Sequence, residues 1–178
     1  MCDREINTFG FLGYRNARFG RIEAHEAVTA YGREKLLLAK EISEARGFRM
    51  LHGLTDAVWI TKPWMTRDEV LSLCAEIGKA AEVSIELEGI YKWVVFLPSK
   101  TSPGFPVATR YFGAFEDGKI KARGLAFRRD DTPPLIKEAQ EKMLQVLSSC
   151  QDSQEYRERG REVREILKEY EIRLQSGE

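Results

Sequence analysis

The sequence is poor in the residues that mark several protein classes. It has three cysteines and two histidines in 178 residues. Cys2, Cys74 and Cys150 are odd in number, far apart and in no metal-ligand spacing. That excludes a disulfide framework and a zinc module, and a reduced, cytoplasmic thiol state is the simplest reading. The densest apolar run, Trp93 to Leu97, is five residues long. A membrane helix needs roughly 18, so no membrane partner is expected. The N-terminus, MCDREINTFG, has no apolar core of the signal-peptide kind. There is no net charge, with 28 Lys and Arg against 28 Asp and Glu. Global attraction to nucleic acid is therefore absent, and any such binding must come from a local patch. No glycine-rich phosphate loop, nucleophile motif or internal repeat is present. What remains is an ordinary globular composition, 43% hydrophobic and 31% charged, in a length suited to one domain or two small ones.

Periodicity supplies the elements. The first twenty residues, ending in GFLGYRNARFGR, combine glycine, aromatics and arginine. Ile22 to Ala45 reads as a helix, with Ala24, Ala27, Val28 and Tyr31 at helical spacing and Gly47 as its stop. Phe48 to Ile60 reads as two short strands around a turn supplied by Gly53 to Asp56. Thr66 and Glu69 form a capping box for a helix running to about Ala81, with Val70, Leu73, Cys74 and Ile77 on one face. Ser84 to Pro98 reads as a long strand. Val107–Phe115 and Lys119–Phe127 flank the turn Glu116-Asp117-Gly118, a hairpin signal. Asp131 or Thr132 caps a helix opened by Pro133, and a second helix follows from Ser153 to Leu174, supported by Glu155–Arg159 and Glu169–Arg173 pairs. The composition shift near Asp130 suggests a domain boundary, mixed before it and helical after it.

Charge is concentrated in one place. Between Val107 and Lys137 stand Arg110, Lys119, Lys121, Arg123, Arg128, Arg129 and Lys137, against four acidic residues and interleaved with Tyr111, Phe112, Phe115 and Phe127. Arginine forks beside aromatics suit phosphate backbones, although a solvated hairpin face gives the same pattern. Asp56 lies in the inter-strand turn, where a carboxylate either points into a cleft or serves the turn itself. Glu86 and Glu88 alternate on the expected strand and so share a face, as cation ligands do and as exposed strand faces also do. His25 reads as a helix-surface or satisfied core residue.

The order of segments adds more than any one motif. GYRNARFGRIEAHEAVTAYGRE, MLHGLTDAVWI, IELEGIYK and TRYFGAFEDGKIKARGLAFRRD together resemble the C-terminal part of archaeal-type family B DNA polymerases, over about Asn7 to Cys150 and beyond. The resemblance implies an α+β fold: a partial polymerase palm of antiparallel strands with flanking helices, followed by a helical thumb. It implies residues 1–21 as the end of the fingers, 22–106 as partial palm and 107–178 as basic hairpin and thumb. Phe9 and Gly10 fall on the last positions of the family's nucleotide-binding motif, whose Lys and Asn positions hold Cys2 and Ile6.

MLHGLTDAVWI resembles the palm turn Y-G-D-T-D-S. Gly53, Thr55 and Asp56 match it, while Leu54 replaces the first Asp and Ala57 the Ser. In the family that turn helps hold two Mg²⁺ ions that activate the primer 3′-hydroxyl. The resemblance thus implies Asp56 as catalytic residue and metal ligand, Glu88 as a partial substitute ligand, and a weakened Mg²⁺ site. Arg110 and Tyr111 match a segment implied to contact duplex DNA, with Ala108 and Thr109 in its first two positions. Arg123, Gly124, Arg128 and Arg129 match the segment implied to grip primer phosphates. The implied partners are primer–template DNA and either a larger polymerase subunit, bringing the exonuclease and remaining palm, or a second copy of the chain, because a palm hairpin without its neighbouring strand leaves an open edge. The implied activity is template-directed nucleotidyl transfer in such a complex. Two other readings compete with it: a non-catalytic DNA-binding or assembly subunit, and a protein-interaction module. The account requires the arginines of the hairpin to gather on one surface.

Overall fold

The structure, a computed structural model, describes residues 9–99, 101–102 and 104–176. It divides into two units, Met1–Leu87 and Glu88–Glu178. In the first, α1 (Ile22–Ala45) ends in a Schellman closure, where Phe48 N–H donates to the Ser43 carbonyl at 2.9 Å and Gly47 N–H to that of Glu44 at 3.0 Å. The C-terminal half of α1 packs into the core of this unit. Ala39 and Ser43 are buried, whereas Val28 and Tyr31 on the expected apolar face are exposed. The Ser43 hydroxyl is satisfied by donating to the Ala39 carbonyl at 2.7 Å.

β1 (Arg49–Leu54) and β2 (Ala57–Thr61) pair antiparallel around a two-residue turn at Thr55 and Asp56. The left-handed position falls on Thr55, at φ 49°, and Gly53 stays inside β1. α2 (Arg67–Ala81) begins where expected: the Thr66 side chain accepts from Glu69 N–H. Only half of the capping box forms, because the Glu69 carboxylate turns to the Lys62 ammonium instead. Phe48, Val70, Leu73 and Ile77 close the core with Ala39, and Cys74 packs against its edge. Burial pushes the Cys74 thiol up from its ordinary value, as expected of a small hydrophobe rather than a nucleophile.

The second unit is a three-stranded antiparallel sheet covered by helices. β3 (Tyr91–Pro98), β4 (Pro106–Phe115) and β5 (Ile120–Arg123) lie in the order β3-β4-β5. One face carries Trp93, Phe112, Ala114 and Ala122 into a core with Leu147 and Cys150. The Trp93 indole N–H donates to the Cys150 carbonyl at 3.1 Å, so the largest ring in this core also has its polar atom satisfied. α3 (Pro134–Ser148), α4 (Ser153–Glu158) and α5 (Gly160–Ser176) complete the unit. Tyr170 of α5 donates its hydroxyl to Glu138 of α3 at 2.6 Å.

Several boundaries differ from the sequence reading. The strand expected from Ser84 begins only at Tyr91, and residues 84–90 are irregular. Glu86 and Glu88 are therefore not alternate residues of a strand. β5 stops at Arg123 because Gly124 turns left-handed, at φ 67°, into a 3-10 turn, Ala126–Arg128. Helix α3 starts one residue late, with Pro133 as its N-cap and no side-chain cap. The two residues expected to cap it are engaged elsewhere. Asp131 binds Arg129, and the Thr132 hydroxyl donates to the Ala126 carbonyl. The last helix is broken at Arg159, beside the weak helix former Gly160. Arg159 pairs with Glu162, and Arg173 lies 3.7 Å from Glu138 across the helix pair. The division between units falls upstream of the composition shift at Asp130, because Leu147 and Cys150 share a core with β3 and β4.

Among the described residues no helix is long and apolar enough to cross a membrane.

Candidate functional site

The β4–β5 hairpin sets the geometry of the basic residues. Its turn is tight: Asp117 Oδ1 accepts from Lys119 N–H at 3.0 Å, and Gly118 N–H donates to the Phe115 carbonyl at 2.9 Å. Register places Arg123 opposite Tyr111 and Ala122 opposite Phe112. Cross-strand partners share a face and neighbours alternate. Arg123 therefore stands on the face of Tyr111, and Arg110 on the face of Phe112. The two arginines meet at the same end of the hairpin but approach it from opposite sides of the sheet. Arg110 is braced there, its Nε donating to the Gly124 carbonyl at 3.3 Å.

Gly124 explains itself at this point. A Cβ on it would lie 2.6 Å from the Thr109 carbonyl oxygen and 2.7 Å from Arg110 Cγ. The left-handed turn at Gly124 thus lets the end of β5 cross close over Arg110. Beyond it, the turn bearing Arg128 is tied to α3, with Phe127 N–H donating to Gln140 Oε1 at 2.8 Å. Arg128 borders a groove of about 310 Å³ together with Ile120, Phe127, Glu141 and Leu144.

Local acids neutralise part of the expected patch. Lys119 pairs with Asp117, Lys121 with Glu88, and Arg129 with Asp131. The Lys119 ammonium beside Asp117, and the Arg129 guanidinium beside Asp131, hold those carboxyls below their ordinary values. Arg110, Arg123 and Arg128 have no ion pair among the described residues. Tyr111 is 1% exposed and packs against Phe96, ring centroids 5.5 Å apart. Its side chain supports the strand that carries Arg110 and presents no surface of its own.

The turn bearing Asp56 is exposed, with Asp56 N–H donating to the Leu54 carbonyl at 2.6 Å across Thr55. A β-branched residue at positive φ is a strained position, so the sheet holds this turn in a conformation that Thr55 alone disfavours. The turn offers one carboxylate, flanked by the apolar Leu54 and Ala57. Glu88 is committed to Lys121. Among the described residues no group of three or more His, Cys, Asp or Glu gathers to hold a metal. This donor set does not fit a pair of divalent ions. Phe9 and Gly10 belong to a helical segment, residues 9–13, and the Phe9 ring stacks on His25 at 4.1 Å. Cys2 and Ile6 lie outside the described residues.

Comparison with known proteins gives these features a common frame. The family model for DNA polymerase family B matches residues 7–178. The chain belongs to DNA polymerase family B. Its relatives within the family include the DNA polymerase of Archaeoglobus fulgidus, 32% identical over 78% of this chain and 17% of the relative. DNA polymerase 2 of Saccharolobus solfataricus is 32% identical over 97% of this chain and 26% of the relative. The DNA polymerase of Thermococcus kodakarensis is 32% identical over 92% of this chain and 10% of the relative. The chain thus spans about a quarter or less of the length of these family B polymerases. The archaeal-type resemblance read from the four ordered segments is borne out, and so is the α+β class.

Two features of this family B chain escaped the sequence reading. The acids that neutralise Lys121 and Arg129 sit 33 and two residues away. The second pairing was visible in the spacing, but the first depends on the irregular segment 84–90 bringing Glu88 beside Lys121 of β5. The other feature is the hydrogen-bonded loop within residues 9–21, which the sequence reading took as the end of the fingers, with Phe9 and Gly10 on the nucleotide-binding motif, without a structure for the loop itself.

Proposed function

We propose that this chain is the DNA-holding part of a family B polymerase, with residues 22–106 as partial palm and 107–178 as the hairpin and thumb. Arg110, Arg123 and Arg128 grip the phosphates of a primer–template duplex at the end of the β4–β5 hairpin. Arg129 joins them by exchanging Asp131 for a phosphate, while Gly124 and the buried Tyr111 keep the hairpin end in shape. Phe9 and Gly10 border the place for an incoming nucleotide. The reading is supported by family membership and by Arg110, Arg123 and Arg128, which have no ion pair among the described residues; Arg110 and Arg123 stand at one end of the hairpin on opposite sides of the sheet, and Arg128 in the turn beyond it. Unpaired guanidinium groups suit phosphate oxygens, which they engage in charge-assisted pairs.

Nucleotidyl transfer to the primer 3′-hydroxyl would use Asp56 as a Mg²⁺ ligand, with the missing carboxylates supplied by a longer polypeptide or a partner subunit. Primer extension in such a complex, compared with the Asp56→Ala variant, tests this: extension should fall to background, and extension unaffected by the change removes Asp56 from the mechanism. A second reading is favoured by Leu54, which stands where the resemblance puts a carboxylate. In it the chain holds DNA and assembles with a polymerase without reacting. Leu54→Asp separates the two, because gain of Mg²⁺-dependent extension marks the native turn as vestigial.

A further inference from the structure

The hairpin account uses one end of β5 and leaves its long edge unused. β5 lies last in the order β3-β4-β5, so one side of it pairs with β4 and the other side is a sheet edge. Phe115 N–H donates to the Lys119 carbonyl at 2.9 Å, which makes Phe115 and Lys119 a hydrogen-bonded pair. Hydrogen-bonded and non-hydrogen-bonded pairs alternate along an antiparallel ladder. The register Ala114↔Ile120, Gly113↔Lys121, Phe112↔Ala122 therefore turns the backbone of Lys121 toward β4, and the N–H and carbonyl groups of Ile120 and Ala122 outward. No backbone group among the described residues takes those outward groups. The same two residues line a groove of about 310 Å³, at the lower end of the roughly 300–1,000 Å³ of ligand sites. Phe127 of the 3-10 turn and Leu144 of α3 complete its apolar lining, and Arg128 and Glu141 are its charged groups. The other face of β5 is basic. Lys121 and Arg123 alternate with the two apolar residues, and Lys119 precedes them in the same alternation. Asp117 pairs with Lys119 and Glu88 with Lys121, but the first pair lies in open solvent, its side chains 52% and 81% exposed, and exchanges at little cost.

We propose that the β5 edge and this groove bind an extended peptide segment of another protein, in which apolar residues alternate with acidic ones. The segment adds as a fourth strand on the outward groups of Ile120 and Ala122. Its apolar side chains enter the groove between β5 and α3, and its carboxylates stand beside the basic row on the other face. A helix laid in the same groove would leave the outward backbone groups of β5 unmet. A second copy of β5 has the wrong charge. Paired edge to edge with the core faces on one side, it would set its own lysines and arginine against this row, and like charges opposite one another destabilise a sheet. The inference does not depend on duplex contact by Arg110, Arg123 and Arg128.

The test uses the full chain and a fluorescein-labelled octapeptide of alternating valine and glutamate, with binding read by polarisation. A peptide of the same composition, with its valines and glutamates in separate blocks, should bind at least about tenfold more weakly. N-methylation then removes the backbone donors of one alternate set at a time. In an antiparallel fourth strand the valine N–H groups face β5, so N-methylation of the valines should weaken binding at least about tenfold and of the glutamates less than about threefold. The reverse order marks a parallel fourth strand. Lys119→Glu should weaken binding about threefold or more, with far-UV circular dichroism unchanged. The proposal is overturned if the alternating peptide shows no binding at about 1 mM, or if the two N-methylated peptides behave alike. It is equally overturned if the block peptide binds as well as the alternating one, which marks attraction of any polyanion, or if Lys119→Glu leaves the affinity unchanged.

Discussion

Gly124→Ala is the sharpest structural probe of the hairpin end. The position takes φ 67°, and an added methyl would lie 2.6 Å from the Thr109 carbonyl and 3.2 Å from Arg110 Cα. The left-handed conformation costs an alanine about 1–2 kcal/mol. Both of these contacts are to backbone and cannot be relieved by a rotamer change, and forcing the strands apart adds about 1–3 kcal/mol. The sum is about 2–5 kcal/mol, carried by the unit Glu88–Glu178 alone. At about 4–8 °C per kcal/mol for a domain of that size, its melting temperature should drop by ten degrees or more, on the order of magnitude given by the unfolding entropy. Trp93 reports the event, being 4% exposed and hydrogen-bonded in the core of that unit. Its fluorescence should shift red at the lower temperature. A variant that melts with the native chain would show that the close crossing over Arg110 is not required, and the positioning of Arg110 by the Gly124 carbonyl would lose its basis.

In the first unit, Leu73 is fully buried among Phe48, Val70 and Ile77, so Leu73→Ala should cost about 2–5 kcal/mol in denaturant titration; a loss below about 1 kcal/mol would show that this core is not closed. Stability should fall on acidification. Glu69 and Glu138 are held below their ordinary values, chiefly by hydrogen bonds from Lys62 and from Tyr170 respectively. Their contribution is fully present above the unfolded carboxylate value, about 4.3, and is lost as pH falls through the lowered folded value. Melting temperature followed downward from pH 6 should therefore decline more steeply below about pH 4 in the native chain than in Glu69→Gln. Equal slopes would contradict the Lys62 pairing.

How much the sequence disclosed depends on whether a feature is local. The Thr66 cap, the start of α2 and the Glu116–Gly118 turn are set by residues within four positions of one another, and all were legible. The beginning of β3 was not. Ser84 to Ile90 has the alternation of a strand, but a strand needs a partner. Ahead of Tyr91 the Ile90 carbonyl still accepts from Glu116 N–H at 2.9 Å, but residues 84–89 form no ladder among the described residues, so the segment is irregular and carries Glu88 to Lys121. The same limit applies to the candidate site. Basic composition pointed to the hairpin, yet composition cannot tell Arg128, which has no ion pair among the described residues, from Arg129, which folds back on Asp131. Nor could it show that Tyr111 faces inward while its neighbour Arg110 reaches the hairpin end. Membership of DNA polymerase family B was legible in four ordered segments because their order is a long-range property of the chain, and the family match over residues 7–178 bears it out.

The claim at the centre is that Arg110, Arg123 and Arg128 hold duplex phosphates. Affinity of the native chain for a primer–template, measured by fluorescence polarisation across a salt series, tests it directly. Each phosphate contact contributes about 0.9 to the slope of log affinity against log salt. Arg110→Ala/Arg123→Ala/Arg128→Ala should weaken binding and lower that slope by between about two and three. An unchanged slope in the triple variant, with the duplex still bound, would place the grip elsewhere and contradict the account.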